Sequence, residues 1–257
     1  MLHLLGISLL LSSPAGGQPG MHPAPSAPLA SATVLMTRAM QLYGDGSYAS
    51  AMAVFRQAAN IGNVEAMMYL GVMCGSGQGT MVDYTEALDW FHKAANAGNS
   101  QAMNNIGLLY YQGLGQPQNY REALSWFHKA ADLGNTEAMF NTGVLYRDGR
   151  GVPVNYREAM RWFRRAADGN NNVASNEVGV MYQKGLGVAV DYGEAMNWYR
   201  KSAESGNDIA MYNIGLLYEG ALGVREDRNE AMVWYRTAAD AGNAAARERL
   251  KSLSGKE

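Results

Sequence analysis

The sequence predicts an all-α solenoid of roughly a dozen helices with no sheet. Three observations predict it. From Gly62 the chain repeats every 36 residues through Gly98, Gly134, Asn170, Gly206 and Gly242, and the register never slips. All five tryptophans, Trp90, Trp126, Trp162, Trp198 and Trp234, fall at one position of that repeat, each followed by Phe91, Phe127, Phe163, Tyr199 or Tyr235. Each unit also carries two helix-start signals. Asn63, Asn99, Asn135, Asn171 and Asn207 open a first helix, and Asp83, Asn119, Asn155, Asp191 and Asp227 open a second; all ten side chains can accept a hydrogen bond from the free N–H groups of a first turn.

The N-terminal 37 residues stand apart, with no Asp, Glu, Lys or Arg before Arg38 and five of the seven prolines. Leu4 to Leu11 is a mostly apolar run of eight, too short for the ~20 residues of a membrane-spanning helix. Ser13-Pro14-Ala15 then offers a small-x-small cleavage site. Residues 1–31 therefore read as a secretory-signal-like leader followed by a disordered Pro/Ala/Ser tether, which implies an exported chain, periplasmic or secreted. Without such a signal the chain would be cytoplasmic.

Residues 32–61 read as a shorter helix pair, Ala39 to Tyr43 and Ser47 to Ala59, whose connecting loop lacks about five residues relative to the repeats. Residues 62–241 are five full repeats. In each second helix an apolar stripe recurs, as in Ala87, Trp90, Phe91, Ala94 and Ala95 at i, i+3, i+4, i+7 and i+8. In each first helix Gly71, Gly107, Gly143, Gly179 or Gly215 occupies an interior position. Glycine there costs about 1 kcal/mol against alanine, so its recurrence implies that a bulky neighbour approaches closely. Glycine-rich loops such as Gly113-Leu114-Gly115 connect the two helices. Residues 242–257 form a polar C-terminal capping helix, because only one side of a terminal unit has a neighbour to cover it.

Composition excludes several classes. Against 21 Lys and Arg stand 23 Asp and Glu, a formal charge of 21 − 23 = −2 in 257 residues, without the basic excess of a nucleic-acid or membrane-surface binder. The single cysteine, Cys74, allows neither an internal disulfide framework nor a multi-cysteine metal site and reads as a small buried hydrophobe.

The string Ala102-Met103-Asn104-Asn105-Ile106-Gly107-Leu108-Leu109-Tyr110, then Gly113-x-Gly115, then Tyr120-x-Glu122-Ala123-x-x-Trp126-Phe127-x-Lys129-Ala130-Ala131, resembles a Sel-one-like repeat, the longer-looped relative of the tetratricopeptide repeat. Residues 32–61 are more similar to a plain tetratricopeptide unit. The resemblance implies a right-handed α/α superhelix acting as an adaptor, often exported or membrane-associated in bacteria, with no fixed chemistry. A cysteine-rich branch of the family clips each unit with a disulfide. Cys74 merely replaces the repeat tyrosine, so nothing carries over from that branch.

Several constellations have two readings. Glu86, Glu122, Glu158, Glu194 and Glu230 each lie three residues after a cap residue, the spacing at which a carboxylate reaches back to the cap N–H; as catalysts they would lack a paired second carboxylate. The glycine loops lack the Lys-Ser/Thr of a phosphate cradle. His92 and His128 share a position with Arg164, Arg200 and Arg236, which reads as a solvated basic face pairing with Asp132, Asp168 and Asp240 four residues on rather than as a metal site. No nucleophile, base and orienting set is recognisable, and no cofactor or metal is implied.

What varies between repeats is the first helix. Met68, Asn104, Phe140, Asn176 and Tyr212 differ at one position, and Tyr111, Arg147, Gln183 and Glu219 at another near the helix end. Mixed aromatic, amide and charged side chains on an expected concave surface suit recognition of a peptide or protein segment. The expected function is a non-enzymatic, monomeric protein-interaction adaptor without nucleic-acid or membrane-spanning partners. The alternatives are a cell-wall or polysaccharide binder stacking sugars on Phe140, Tyr212 and Tyr111, and, less favoured, a hydrolase.

Overall fold

The structure, a computed structural model, describes residues 27–254, with side chains from residue 31. Of the leader and tether read for residues 1–31, residues 1–26 lie outside the described residues. Thirteen α-helices and no strand occur among the described residues. They fall into two compact units that divide between Asn135 and Thr136.

The first unit holds α1 (Ala27–Gly44), α2 (Tyr48–Asn60), α3 (Val64–Ser76), α4 (Tyr84–Asn96), α5 (Ser100–Gln112) and α6 (Tyr120–Asp132). The second holds α7 (Thr136–Asp148), α8 (Tyr156–Asp168), α9 (Asn172–Lys184), α10 (Tyr192–Glu204), α11 (Asp208–Glu219), α12 (Arg228–Asp240) and α13 (Ala244–Ser254). Within each unit every helix packs on the next, with the tightest pairing between the two helices of one repeat, such as α5 with α6 or α7 with α8.

One boundary moves. Helix α1 begins at Ala27, five residues ahead of the expected start of the first helix pair. Pro28 falls in its first turn, where a missing N–H costs nothing because no intrahelical acceptor exists for it. The following Leu-Ala-Ser-Ala run then continues the helix.

The helix starts follow from the caps. The Asn63 and Asn99 side chains accept from the N–H groups of Ala66 and Ala102, each at 2.7 Å, and Asp83 accepts from Thr85 and Glu86 at 2.9 Å. First helices end at a glycine; at Gly113, φ is 72° and the N–H donates to the Leu109 carbonyl, a left-handed stop that other residues adopt only with strain. Two residues on, a Cβ at Gly115 would lie 2.8 Å from the Tyr84 backbone at the start of α4. The glycine loop therefore seats one repeat on the preceding one.

The core repeats a single fit. A Cβ on Gly71 or Gly107 would lie 2.5 Å from the Phe91 or Phe127 ring, and one on Gly143, Gly179 or Gly215 would lie within 2.7 Å of the Phe163, Tyr199 or Tyr235 ring. Those five rings have no exposed surface. The tryptophan before each is less buried: Trp90 is buried, but Trp126, Trp162, Trp198 and Trp234 remain partly exposed. The bulky partner of each glycine is thus the residue after the tryptophan. In α13 the glycine register falls on Lys251.

Candidate functional site

The recurring acids do not close capping boxes. The N–H groups of Asp83, Asn119, Asn155, Asp191 and Asp227 donate instead to the carbonyls of Cys74, Tyr110, Tyr146, Tyr182 and Tyr218, at 2.8–3.2 Å. Across the loop, the end of the first helix has already satisfied the group that the glutamate would have reached. The carboxylates are freed for other donors. Glu86 accepts from the Trp90 indole N–H at 3.2 Å and from Arg56 at 2.6 Å, and Glu230 accepts from the Trp234 indole at 3.0 Å. Burial disfavours the Glu86 carboxylate, but the bonds from Trp90, Arg56 and Cys74 outweigh it and hold the group below its ordinary range. At Glu86 and Glu230 the spacing that suggests a box thus reports an i, i+4 indole clamp, whereas Glu158 pairs with Arg161 at 2.8 Å.

The basic positions at Lys93, Lys129, Arg164, Arg165, Arg200 and Lys201 are exposed, as a solvated face requires, but they meet rings more than acids four residues on. Lys93 and Lys129 place their ammonium groups 3.8 and 3.9 Å from the Trp90 and Trp126 ring centres, and Arg165 and Lys201 lie 4.4 and 4.9 Å from Trp162 and Trp198. A cation over an indole face gains from the ring quadrupole. Arg164 and Arg200 donate to the hydroxyls of Tyr182 and Tyr218 in the following repeat rather than to Asp168 or another acid four residues on. His92 sets its ring against Trp126 at 5.2 Å, and burial holds its pKa below the ordinary histidine value. Among the described residues no group of three or more His, Cys, Asp or Glu is placed to hold a metal.

Cys74 is fully buried. Desolvation first, and then the Glu86 carboxylate that accepts its hydrogen bond, push its thiol up to about 12.

The variable first-helix residues lie mostly inside the packing. At the first position Met68, Asn104, Phe140 and Asn176 are buried, whereas Tyr212 is half-buried. Phe140 packs on Phe163 at 5.5 Å, and Tyr212 packs on Tyr235 at 5.4 Å, both tilted. Asn176 accepts from Asn213, one repeat on, at 3.0 Å. At the second position Tyr111 is buried with its ring edge on Tyr120, while Arg147, Gln183 and Glu219 are half-buried.

Variation at this second position tracks the buried ring of the same repeat. Where the ring carries a hydroxyl, the position supplies an acceptor: Tyr199 donates to Gln183 at 2.5 Å and Tyr235 to Glu219 at 2.6 Å. Where the ring is Phe163, the position is Arg147, whose guanidinium lies 5.9 Å from the ring centre and donates to Glu177 at 2.5 Å and Asp148 at 2.7 Å. The same two positions lock the last repeat, where Arg249 of α13 grips the Glu219 carboxylate. Spacing within one helix carries no trace of these pairs. The signal that could have found them is the covariation of Tyr199 and Tyr235 with Gln183 and Glu219, sixteen residues earlier in each case.

The Sel1 repeat pattern matches residues 64–99, 100–135, 136–171, 173–207 and 208–243. The chain belongs to the Sel1 repeat family. It is similar to a Sel1 repeat protein of Oxalobacter formigenes at 34% identity, over 85% of this chain and 89% of that one, with a TM-score of 0.79. It is also similar to c5321, a protective antigen of uropathogenic Escherichia coli with the same repeat fold, at 31% identity, over 88% of this chain and with a TM-score of 0.77; the chain spans only 48% of that protein. The immunity protein PA5088 of Pseudomonas aeruginosa shares the fold alone, at 20% identity over 86% of each chain and a TM-score of 0.54. No curated protein matches the chain. Sel1 repeat proteins are generally protein-interaction scaffolds, and the solenoid is typically non-catalytic. No helix among the described residues is long and apolar enough to cross a membrane.

Proposed function

We propose that this chain is a monomeric adaptor, exported through its N-terminal leader, that binds a peptide or protein segment along the first helices of its repeats. One observation carries the reading. The recurring glycines and rings pack each repeat, the recurring Asn and Asp residues cap its helices, and Glu86 and Glu230 hold the indoles of Trp90 and Trp234, so these recurring groups are engaged in building the solenoid. The individuality of the chain lies in its first helices, where Tyr212, Gln183 and the Arg147 group in the second unit keep part of their surface open. An aromatic, an amide and a charge at such spacing supply an anchor and orienting donors for a polypeptide.

The test is co-purification of the tagged chain from its native host, followed by reconstitution with the recovered protein. Binding of one defined protein, weakened at least about fivefold by Tyr212→Ala, supports the adaptor. Retention on peptidoglycan or a glycan resin without such a protein overturns it. Fractionation tests the setting, and an intact Met1 in the cytosol overturns export.

A further inference from the structure

We propose that the outward face of α8 is a second docking surface, one that takes an acidic segment of a protein partner through Arg157, Arg161, Arg164 and Arg165. The inference goes beyond the groove reading and concerns a different face of the second unit.

The four arginines lie at i, i+4, i+7 and i+8, one stripe of a helix. All four are exposed, while Ala159, Met160, Phe163, Ala166 and Ala167 bury the opposite stripe. No other second helix is built this way. The same four positions in α10 hold Gly193, Asn197, Arg200 and Lys201, and none of the other second helices has more than two Lys or Arg there. Like charges one turn apart repel, so a face kept merely soluble would alternate signs. Here only Glu158 intervenes, 2.8 Å from Arg161, while Asp168 at the far end faces Lys201 of α10 at 3.9 Å.

Two of the guanidiniums are held in place. Arg165 lies over the Trp162 ring at 4.4 Å and Arg164 over the Tyr182 ring at 5.5 Å. Stacking uses the flat face of the Arg165 guanidinium and leaves its N–H edges for the two oxygens of a carboxylate, while Arg164 is anchored by one N–H on the Tyr182 hydroxyl and keeps its others; a preplaced fork loses less freedom on pairing. At the N-terminal end Val154 and Tyr156 are 52% and 38% exposed, giving the charged row an apolar edge.

A polypeptide fits better than a polyanion. Arginine and tyrosine are the residues enriched at protein interfaces, where lysine is depleted, and this row contains no lysine. Its span is about 12 Å at 1.5 Å per residue, and the chain as a whole carries a formal charge of −2, without the extended basic field that draws nucleic acid or sulfated glycan. Carboxylates at helical spacing on a partner, with an apolar residue at one end, would match it.

The experiment measures fluorescence anisotropy of the full chain with a labelled peptide carrying glutamates at i, i+4, i+7 and i+8 and a terminal leucine, against the same peptide with glutamines. The acidic peptide is expected to bind at least about tenfold tighter than its isostere. The pair Arg157→Glu and Arg161→Glu should abolish the difference with an unchanged circular dichroism spectrum, since neither side chain stacks on a ring. Tyr212→Ala should leave it intact, so this surface and the first-helix surface fail independently. Equal binding of both peptides, a preference that survives the double substitution, or displacement by dextran sulfate at lower charge concentration than by the acidic peptide would overturn the proposal.

Discussion

Gly143 and Phe163 meet so closely that a Cβ on the glycine would lie 2.7 Å from the ring. A ring edge cannot yield by several tenths of an ångström in a core at crystalline packing density. Gly143→Ala is therefore expected to destabilise the protein by about 1 to 3 kcal/mol despite alanine's better helix propensity. Phe163→Ala should cost about 3 to 5 kcal/mol. Trp162→Ala should cost less than Phe163→Ala, because its ring stays partly exposed and Phe163 does not. Urea denaturation of the three variants checks the order, and combining Gly143→Ala with Phe163→Leu should recover part of the loss.

This ranking marks the limit of the sequence. The 36-residue register, the ten cap residues and the glycines locate every helix of the repeats, because caps and periodicity are local properties. Choosing between Trp162 and Phe163 as the buried ring needs the neighbouring helix. So does the partner of the Asp191 N–H, which lies nine residues back, at the Tyr182 carbonyl. Of the candidate binding residues, the variability of Gln183 and Glu219 was legible but its cause was not: each answers a hydroxyl on a ring that the fold brings across from the next helix.

That pairing can be measured. Tyr199→Phe removes the donor to Gln183 and should cost about 1 kcal/mol, leaving a half-buried acceptor open. Gln183→Leu should cost a similar amount, by stranding the buried hydroxyl. The double substitution should cost less than the sum of the two, since neither polar group is then left without its partner. Additive losses in the cycle would show that the 2.5 Å bond contributes nothing.

Cys74 is expected to resist alkylation. With its thiol pushed up to about 12 by burial and the Glu86 carboxylate, and with no exposed surface, almost no thiolate exists at pH 8. Iodoacetamide should leave the folded chain unmodified and label it stoichiometrically in urea, as mass spectrometry would show. Labelling of the folded chain at the rate of a free thiol would mean that α3 opens locally.

Glu219 makes the C-terminal end acid-sensitive. Burial works against its charge, but the bonds from Arg249 and Tyr235 prevail and hold its pKa below the ordinary 4.5. A carboxylate depressed on folding stabilises fully above its unfolded value, and that contribution fades as pH falls through the lower folded value. Glu219→Gln keeps an acceptor for Tyr235 but loses the charge for Arg249, and with Arg249 partly exposed the cost at pH 6 should be about 0.5 to 1 kcal/mol. The gap between wild type and variant in urea titrations should close as the pH is lowered from about 4.5.

The surface used for binding is the prediction most changed by the packing. Phe140 is buried against Phe163, and Arg147 neutralises Glu177, whose side chain is only 10% exposed. Phe140→Ala and Arg147→Ala should each lower stability by about 1 to 4 kcal/mol, so a loss of partner binding in either would confound folding with recognition. Tyr212→Ala is the cleaner probe, since the residue is half-buried and its hydroxyl can be tested separately as Tyr212→Phe. If the first helices read the partner, Tyr212→Ala should weaken binding by at least about 1 kcal/mol at unchanged helical content. Lys129→Ala and Lys201→Ala, which uncover the Trp126 and Trp198 faces and, for Lys201, the exposed pair with Asp168, should stay within about 0.5 kcal/mol. Binding lost in the lysine variants and untouched in Tyr212→Ala would place the partner on the second helices.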